Sequence, residues 1–268
     1  MKITCIAMNL PEYKAIQFQQ ILEKGGHSKP WIVLVELAGM VKPYVVKLYK
    51  TADIEARNKM TAEVLGNVLA AEFNLKAPSA AIIDFPPAFC AELNEQCEDI
   101  LLQIDGRPKF GSEYLEGSFL YNPKLSRSLV KKIIEPANLY AYDYFIGNGD
   151  RTLNKPNLLI RNNESYLIDH EMALDFNPYS DDLWTYIYRD RFKYHVFNQF
   201  LRKYRDKENL FDEFIINLHD LNLRKLDSYF SQLEYLGFAT QQELIIDYWR
   251  RIKEKPDIFA YILKESIK

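Results

Sequence analysis

The sequence predicts an α+β fold of two lobes, in which a mostly β amino-terminal part precedes a mostly α carboxy-terminal part. Two β-rich runs, WIVLVEL and VKPYVVKLY, occur early with Gly39 between them, which is typical of a hairpin. From about residue 126 the apolar residues fall at helical spacing, and residues 190–268 contain one proline, Pro256. Strand signals therefore precede helix signals along the chain, as expected of an α+β fold.

Local patterns predict the further elements in order. Residues 53–74 place Met60, Val64 and Val68 on one line, which is helical spacing and predicts one prominent helix. The runs PSAAIIDF and KFGSEYLEG predict two more strands. In the second lobe, SRSLVKKIIEPANLYAYDYFIGN predicts helices with a break near Pro136, because proline interrupts a helix.

The boundary between the lobes is expected near residues 116–124. The stretch EGSFLYNPK concentrates Gly, Asn and Pro, which are turn and loop residues. We therefore assign residues 1–117 to a mostly β N-lobe and residues 118–268 to a mostly α C-lobe.

Composition restricts the classes of function. The 268 residues carry a formal net charge of -3, so no global positive field attracts nucleic acid or an anionic membrane. Cys5, Cys90 and Cys97 form no CxxC pair, and the four histidines show no zinc spacing. The first residues lack the apolar region of a signal peptide, and no run reaches the length of a membrane span. We expect a cytoplasmic protein.

The run NLLIRNNESYLIDHE predicts a second hairpin, since apolar stretches flank an Asn-Asn turn. A three-residue loop that pairs Arg161 with Ser165 would place Asn157 directly opposite Asp169. An amide oxygen beside a carboxylate suits Mg²⁺, whose other ligands would be phosphate oxygens and water. Taken singly, each residue is more typical of a structural role, with Asn157 capping a turn and Asp169 ending a strand.

Lys47 lies between Val46 and Leu48 in an apolar run. A buried ammonium is costly unless it is paired, and the expected partner is Glu63 on the following helix. The pair could reach nucleotide phosphates. Alternatively, Lys47 extends from an edge strand into water.

Gly25 and Gly26 precede the first hairpin and would let the backbone turn closely, with free N–H groups that could cradle phosphate. Ser28 lies beside them, where the nucleotide phosphates would sit. The motif is neither GxGxxG nor a Walker A sequence, and an ordinary turn fits it as well.

The order of these features is itself informative. A Gly-rich turn, a strand lysine and a helix glutamate precede the change of lobe, and Asp150 in a loop, Asn157 and Asp169 follow it. Kinases have their working parts in this order. On the blocks GGHSKP, YVVKLY, FGSEYLEGS, GDRTLNKPNLLI and LIDHEMALDF, the chain resembles the HipA-like kinases, relatives of phosphoinositide lipid kinases and of protein kinases. The resemblance covers roughly residues 20–176, and we expect a short form that lacks the extra N-terminal subdomain of long HipA toxins.

The resemblance implies a two-lobed protein-kinase-like fold and a Ser/Thr kinase of toxin or regulatory type that uses ATP and Mg²⁺. By that match Asp150 is the catalytic base, and Asn157 and Asp169 are the metal ligands. Lys47 and Glu63 form the phosphate-binding ion pair.

The same match assigns the remaining contacts. The linker from Glu113 to Leu115 would meet adenine through its backbone groups. The expected partners are ATP, a protein substrate and an antitoxin or regulatory protein.

The metal asparagine departs from the family pattern. Asn157 lies seven residues after Asp150 and Asn154 lies four after it, whereas protein kinases have an interval of about five. We prefer Asn157 because it leads directly into the strand LLI, and Asn154 remains the alternative. The second metal block reads Asp-His-Glu where protein kinases have Asp-Phe-Gly.

Two other functions stay open at this point. The acceptor could be a lipid or small molecule, which the lack of a basic amphipathic helix disfavours. The chain could also be a pseudokinase that binds nucleotide without turnover, which the joint presence of all the predicted site residues argues against. Arg151 is expected to pack or pair structurally beside Asp150.

Overall fold

The computed structural model describes residues 9–22, 29–174 and 192–268, and no helix in these ranges is long and apolar enough to cross a membrane. The chain divides into two compact units. The first comprises residues 1–65, 78–116 and 225–240, and the second comprises residues 66–77, 117–224 and 241–268.

Strands dominate the first part of the chain and helices the last part, so the predicted α+β class is confirmed. The strands are β1 (Glu12–Ile21), β2 (Trp31–Leu37), β3 (Met40–Val46), β4 (Ala80–Asp84), β5 (Lys109–Glu113), β6 (Phe119–Leu120), β7 (Leu158–Arg161) and β8 (Glu164–Leu167). The α-helices are α1 (Thr51–Arg57), α2 (Lys59–Val68), α3 (Pro87–Cys90), α4 (Glu95–Leu101), α5 (Arg127–Ile133), α6 (Pro136–Ile146), α7 (Asn198–Arg202), α8 (Asp212–Asp220), α9 (Asp227–Tyr235), α10 (Gln242–Glu254) and α11 (Pro256–Ser266).

The first unit is built on a closed barrel with the strand order β1-β2-β3-β5-β4. Antiparallel pairs join its neighbours except at β1 and β4, which pair in parallel. Trp31, Val33 and Val35 alternate along β2 and point into the core, as the two-residue period of a strand requires. The sequence analysis missed β1, because bulges between Ala15 and Gln17 and between Phe18 and Gln20 interrupt its alternation.

The β2–β3 hairpin is confirmed. Leu37 pairs with Met40, and the two residues between them, Ala38 and Gly39, have φ of 48° and 79°. Two left-handed residues make the tight turn that follows the natural twist of paired strands.

Gly111 on β5 is required by the close approach of β4. A Cβ at this position would lie 2.5 Å from Cγ1 of Ile83. The side chains of Ile83 and Tyr44 therefore occupy the space that any other residue would need.

Residues 225–240 complete the first unit from late in the sequence. The side chain of Gln232 accepts from the Leu10 N–H and donates to the Leu10 carbonyl, both at 2.9 Å. The guanidinium of Arg107 lies 4.3 Å from the ring centroid of Phe238. These contacts pair both backbone groups of Leu10 and join residues 225–240 to the earlier part of the first unit.

The prediction of one continuous helix over residues 53–74 is wrong. It is two α-helices, α1 and α2, followed by a 3-10 turn at Leu69–Phe73. The break is Asn58, whose φ of 52° is left-handed and whose side-chain amide donates to the buried carbonyl of Thr240 at 2.8 Å. Asparagine tolerates this conformation, and a distant partner in the chain fixes it, which a local periodicity cannot reveal.

The second unit packs around α6. Nearly every residue of α6 is buried, which identifies it as a central helix. Stacked rings surround it, with Phe145 and Trp249 5.4 Å apart and Phe73 and Phe214 4.5 Å apart between ring centroids. The predicted break near Pro136 is confirmed, since α5 ends at Ile133 and α6 begins at the proline.

Candidate active site

The first unit contains a buried ion pair. Nζ of Lys47 lies 3.4 Å from Oε1 of Glu63, and the two side chains are 10% and 1% exposed. The hydroxyl of Tyr49 donates to the same carboxylate oxygen at 2.9 Å. The predicted pairing of Lys47 with Glu63 is therefore confirmed, and Tyr49 is an additional member that fixes the carboxylate.

Lys47 lies immediately after β3 rather than within it, since β3 ends at Val46. Its N–H still donates to the carbonyl of Phe110 at 3.0 Å, so the backbone stays aligned with β5. Burial of both charges costs several kcal/mol per ion before pairing. An arrangement this costly is more consistent with a working lysine than with stability alone.

The linker residues lie at the end of β5. Glu113 pairs with Tyr44 on the neighbouring strand β3, and its side chain forms a 3.5 Å ion pair with Lys42. The N–H of Tyr114 donates to the carbonyl of Pro43 at 2.9 Å, and Leu115 is buried. Contact of Glu113 and Leu115 with adenine stays a prediction, as does the phosphate role of Gly25, Gly26 and Ser28, which lie outside the described residues.

In the second unit the β7–β8 hairpin has a different register from the predicted one. Arg161 pairs with Glu164 rather than Ser165, so the loop has two residues instead of three. Both loop residues, Asn162 and Asn163, are left-handed with φ of 50° and 61°. The pair of asparagines therefore forms the tight two-residue turn itself, which the three-residue prediction did not allow for.

This shift changes what lies opposite Asn157. The N–H of Ile168 donates to the carbonyl of Asn157 at 3.1 Å, so the direct opposition of Asn157 and Asp169 is wrong. Both residues adopt left-handed backbone, with φ of 46° and 63°. Non-glycine residues in this conformation are uncommon and occur at functional sites, because other contacts must hold them there.

The two candidate asparagines differ in environment. Nδ2 of Asn157 is buried and has no hydrogen-bond partner among the described residues, whereas Asn154 is exposed. An unsatisfied buried amide costs about 1–3 kcal/mol, so its presence favours a site that a ligand completes. This difference favours Asn157 over Asn154 as a residue that contacts a bound group, with Nδ2 donating to that group and Oδ1 left to ligate a cation.

Asp150 is half-buried in an acidic environment. Burial raises the pKa of Asp150, and the charges of Asp169 and Glu171 act in the same direction against that of Lys155. Nζ of Lys155 lies 3.7 Å from Oδ2 of Asp150. A carboxylate whose pKa is raised in this way is a stronger proton acceptor when it is ionised.

Asp169 and Glu171 form the acidic part of the second unit's site, with a carboxylate oxygen of one within 4.8 Å of a carboxylate oxygen of the other. Together with the Asn157 amide they supply only oxygen ligands, the donor type that Mg²⁺ takes in proteins. Adjacent carboxylates repel each other without a cation between them. The residues therefore fit a hard divalent cation, and Glu171 is a candidate that the sequence analysis did not select.

Arg151 is fully buried and ties the site loop to the hairpin. Its Nε donates to Oδ2 of Asp143 at 2.6 Å. Its Nη1 donates to the carbonyls of Pro156, Asn157 and Ile168. One guanidinium thus holds both strands of the hairpin at the end where Asn157 and Asp169 lie, so the structural role predicted for Arg151 is confirmed with Asp143 as its partner.

Asp143 is the centre of this buried network. His195 Nε2 lies 3.0 Å from Oδ2 of Asp143, and Asn148 Nδ2 donates to Oδ1 at 3.1 Å. Burial alone would raise the pKa of Asp143, but Arg151 and His195 outweigh it and hold that pKa below its usual range. Burial lowers the pKa of His195, so the ring is neutral near pH 7.

The comparisons with known proteins agree with this geometry. The model of the HipA-like kinase family matches residues 20–224, which is more than half of the chain. The chain belongs to the HipA-like kinase family. The resemblance noted in the sequence is thereby confirmed, and the match extends past residue 176.

A solved kinase structure has a similar fold. The proinflammatory kinase CtkA of Helicobacter pylori superposes with a TM-score of 0.51 and 11% sequence identity, covering 96% of this chain and 99% of that one. At this identity the likeness shows the fold alone. No curated protein sequence matches the chain at a significant level. Family membership and the kinase neighbour together support a kinase.

Some site residues of this HipA-like kinase had a sequence signal that was not used. Tyr49 follows Lys47 by two residues, the spacing at which extended side chains share a face. Asp143 is a lone carboxylate among aromatic residues in YAYDYF, which indicates a buried and paired charge. His195, which lies 52 residues after Asp143, had no such local signal.

Proposed function

We propose that this protein is an ATP- and Mg²⁺-dependent Ser/Thr protein kinase of toxin or regulatory type. The single observation that supports this most is the buried pair of Lys47 and Glu63, held by Tyr49. Kinases use such a pair to hold nucleotide phosphates, and burying both charges costs several kcal/mol per ion before they pair.

The two compact units would be the two lobes of a kinase fold. The proposed N-lobe spans residues 1–117 and the proposed C-lobe residues 118–268, with residues 225–240 completing the first unit. Gly25, Gly26 and Ser28 would lie against the nucleotide phosphates. The backbone from Glu113 to Leu115 would meet adenine.

Asp150 would accept the proton of the acceptor hydroxyl. Its raised pKa gives it the basicity for that task, and its partial exposure leaves it open to a substrate. Lys155 at 3.7 Å opposes the rise in pKa and so favours the ionised carboxylate that accepts a proton. Phosphoryl transfer needs mainly positioning and electrostatic stabilisation, which these groups supply.

Asn157 and Asp169 would hold Mg²⁺, with Glu171 beside them. The cation, when bound, neutralises charge on phosphate oxygens and aligns them for in-line transfer. Arg151 keeps the backbone of Asn157 and Ile168 together, so the two ligands arrive on a fixed hairpin end. The exposed Asn154 would not bind the cation and would have only a structural role in its loop.

The proposal is tested with the full chain, Mg²⁺ and ATP labelled on the γ-phosphate, offered a bacterial cytosolic protein mixture. We expect label in protein with the wild type, loss of label with Asp150→Asn, and retained nucleotide-dependent thermal shift in that variant. Lys47→Ala should lose most of the thermal shift. Lys42→Ala is the matched control, because this lysine lies on β3, five residues before Lys47, and forms a more exposed ion pair with Glu113.

Each alternative has its own outcome. Label transferred to phosphoinositide vesicles instead of protein would assign a lipid kinase. A thermal shift without transfer to any acceptor would identify a pseudokinase and overturn the catalytic proposal. Phosphoproteomics of cells producing the wild type or Asp150→Ala would then identify the acceptor.

A further inference from the structure

Two segments of the second unit concentrate positive charge in a chain that is acidic overall. Residues 122–134 and 198–207 contain eight of the 34 cationic side chains and one of the 37 carboxylates. The whole chain has a formal net charge of -3. The cationic side chains are therefore concentrated in these two segments and are not spread evenly along the chain.

Contacts between aromatic rings and cations bring the two segments together. The guanidinium of Arg127 lies 4.1 Å from the ring centroid of Phe200 and 5.5 Å from that of Tyr204. Nζ of Lys131 lies 4.7 Å from the Tyr204 ring centroid. We call the resulting region the α5–α7 basic surface, and its cations are Lys124, Arg127, Lys131, Lys132, Arg202, Lys203 and Arg205.

These cations have no carboxylate partner in the part of the chain that the structure describes. Their recorded polar contact is a hydrogen bond from Nη1 of Arg127 to the carbonyl of Phe200 at 2.9 Å. Cations at this density repel one another, and that repulsion is relieved when an anion binds. Among the described residues, therefore, no carboxylate neutralises this positive surface.

Arg127 is pre-oriented for an anionic group. Stacking on Phe200 and one hydrogen bond to the backbone fix the guanidinium plane. Four further N–H donors then remain on a side chain that is only half-buried, and paired donors match the two oxygens of a carboxylate. A side chain that is already ordered loses less conformational entropy when it binds.

We propose that the α5–α7 basic surface binds an acidic segment of a protein partner. The rings of Phe200 and Tyr204 are covered by Arg127 and Lys131, so they are not available to stack on nucleic-acid bases or to enter a bilayer. The rest of the chain carries 36 carboxylates (37 − 1) against 26 cations (34 − 8), a balance that disfavours an extended polyanion. A segment of three or four carboxylates fits within α5, which is about 10 Å long at about 1.5 Å per residue.

The proposal is independent of the kinase reaction and is tested by binding. The probe is a fluorescein-labelled peptide of eight glutamates, measured by anisotropy with the full chain at 50 mM salt, and the neutral reference is eight glutamines. We expect the glutamate peptide to bind saturably and the glutamine peptide not to bind. Binding of the glutamate peptide should weaken about tenfold at 300 mM salt, because exposed charges are screened.

Lys131→Gln/Lys203→Gln should weaken binding of the acidic peptide by about fivefold to thirtyfold, since exposed pairs each contribute up to about 1 kcal/mol. The matched control is Lys14→Gln/Arg224→Gln, which removes the same charge at exposed positions outside this surface. We expect the control to bind like the wild type.

Three results would overturn the proposal. The first is no binding of the acidic peptide at low salt. The second is an equal loss in both double variants, which would mean that net charge alone acts. The third is tighter binding of phosphatidylserine vesicles or of a DNA duplex than of the peptide, with loss in the Lys131→Gln/Lys203→Gln variant, which would assign the surface to that other polyanion.

Discussion

Gly66 lies against His170 so closely that the α-hydrogen of the glycine occupies the only space between them. A Cβ built on Gly66 would be 2.5 Å from Cβ of His170 and 2.6 Å from its Cγ. The carbonyl of Gly66 also accepts from the hydroxyl of Tyr142 at 2.7 Å, so the helix cannot shift away freely. The chain immediately around Asp169 and Glu171 is therefore packed against a helix position that tolerates no side chain.

Gly66→Ala should destabilise the protein by about 1–3 kcal/mol, the cost of overpacking a well-filled site. The sign is informative, because alanine in a helix interior is otherwise favoured over glycine by about 0.5–1 kcal/mol. Urea unfolding measures the change. Gly106→Ala is the control, since a Cβ there meets nothing within 4 Å, and it should be neutral. Unchanged stability of Gly66→Ala would mean that His170 moves at no cost.

Asp143→Asn should destabilise the protein by about 3–5 kcal/mol, because it leaves the buried guanidinium of Arg151 without its counter-charge. Lys155→Gln, which removes the exposed partner of Asp150, should change stability by less than about 1 kcal/mol. Both are read from chemical unfolding at neutral pH. Equal changes in the free energy of unfolding for the two substitutions would contradict the argument that the buried ion pair matters more to stability than the exposed one.

Asp150→Asn should stop phosphoryl transfer and raise the melting temperature of the metal-free protein. The folded pKa of Asp150 lies above its unfolded value, so the folded state holds a proton that the unfolded state releases, and stability falls as pH rises through that window. At neutral pH the neutral amide removes repulsion from Asp169 and Glu171. Differential scanning calorimetry in EDTA checks this, and at pH 3 the wild type and the variant should converge.

Asp169→Asn should abolish Mg²⁺-dependent transfer while leaving the fold intact, because it preserves volume and removes the charge of a proposed ligand. Asn157→Ala should raise the Mg²⁺ concentration needed for half-maximal rate far more than Asn154→Ala. Initial rates across a Mg²⁺ titration measure this difference for each variant, and circular dichroism checks that each variant is folded. Normal turnover by Asp169→Asn would remove this residue from the metal site.

Asn58→Ala should destabilise by about 1–3 kcal/mol, since it removes the buried hydrogen bond to Thr240 and strains a left-handed position. Asn58→Gly keeps the backbone relaxed and loses the bond alone, so it should be the milder change. If both variants also raise the KM for ATP without lowering kcat, then Asn58 positions α2 and its Glu63. A loss of stability with unchanged KM would limit Asn58 to a structural role.

The sequence predicted best where the signal was local. Lys47 in an apolar run required a counter-charge, and the helical stretch that follows contained Glu63, which lies on α2, so the pair could be inferred from two positions 16 residues apart. Pro136 separated two helices because proline cannot lie in a helix interior. The physical rule in both cases acts within one element or between neighbours.

Sequence reasoning failed where a distant residue decides the local conformation. Asn58 breaks a helix because it bonds to Thr240, 182 positions later. Asp143 holds Arg151 and also His195, whose position no periodicity indicates. The β7–β8 register failed for a smaller reason, since Asn162 and Asn163 allow a tight turn as well as a longer one. A difference of one residue then changed the partner of Asn157.

The return of residues 225–240 to the first unit has a consequence for protein synthesis. The barrel strands end at Glu113, yet Leu10, Arg107 and Asn58 find partners that the ribosome adds more than a hundred residues later. At about 5–20 residues per second, the barrel would wait roughly 6–25 s for these partners. A nascent chain stalled in that interval carries an incomplete barrel, so a ribosome pause between residues 116 and 240 should increase capture by chaperones.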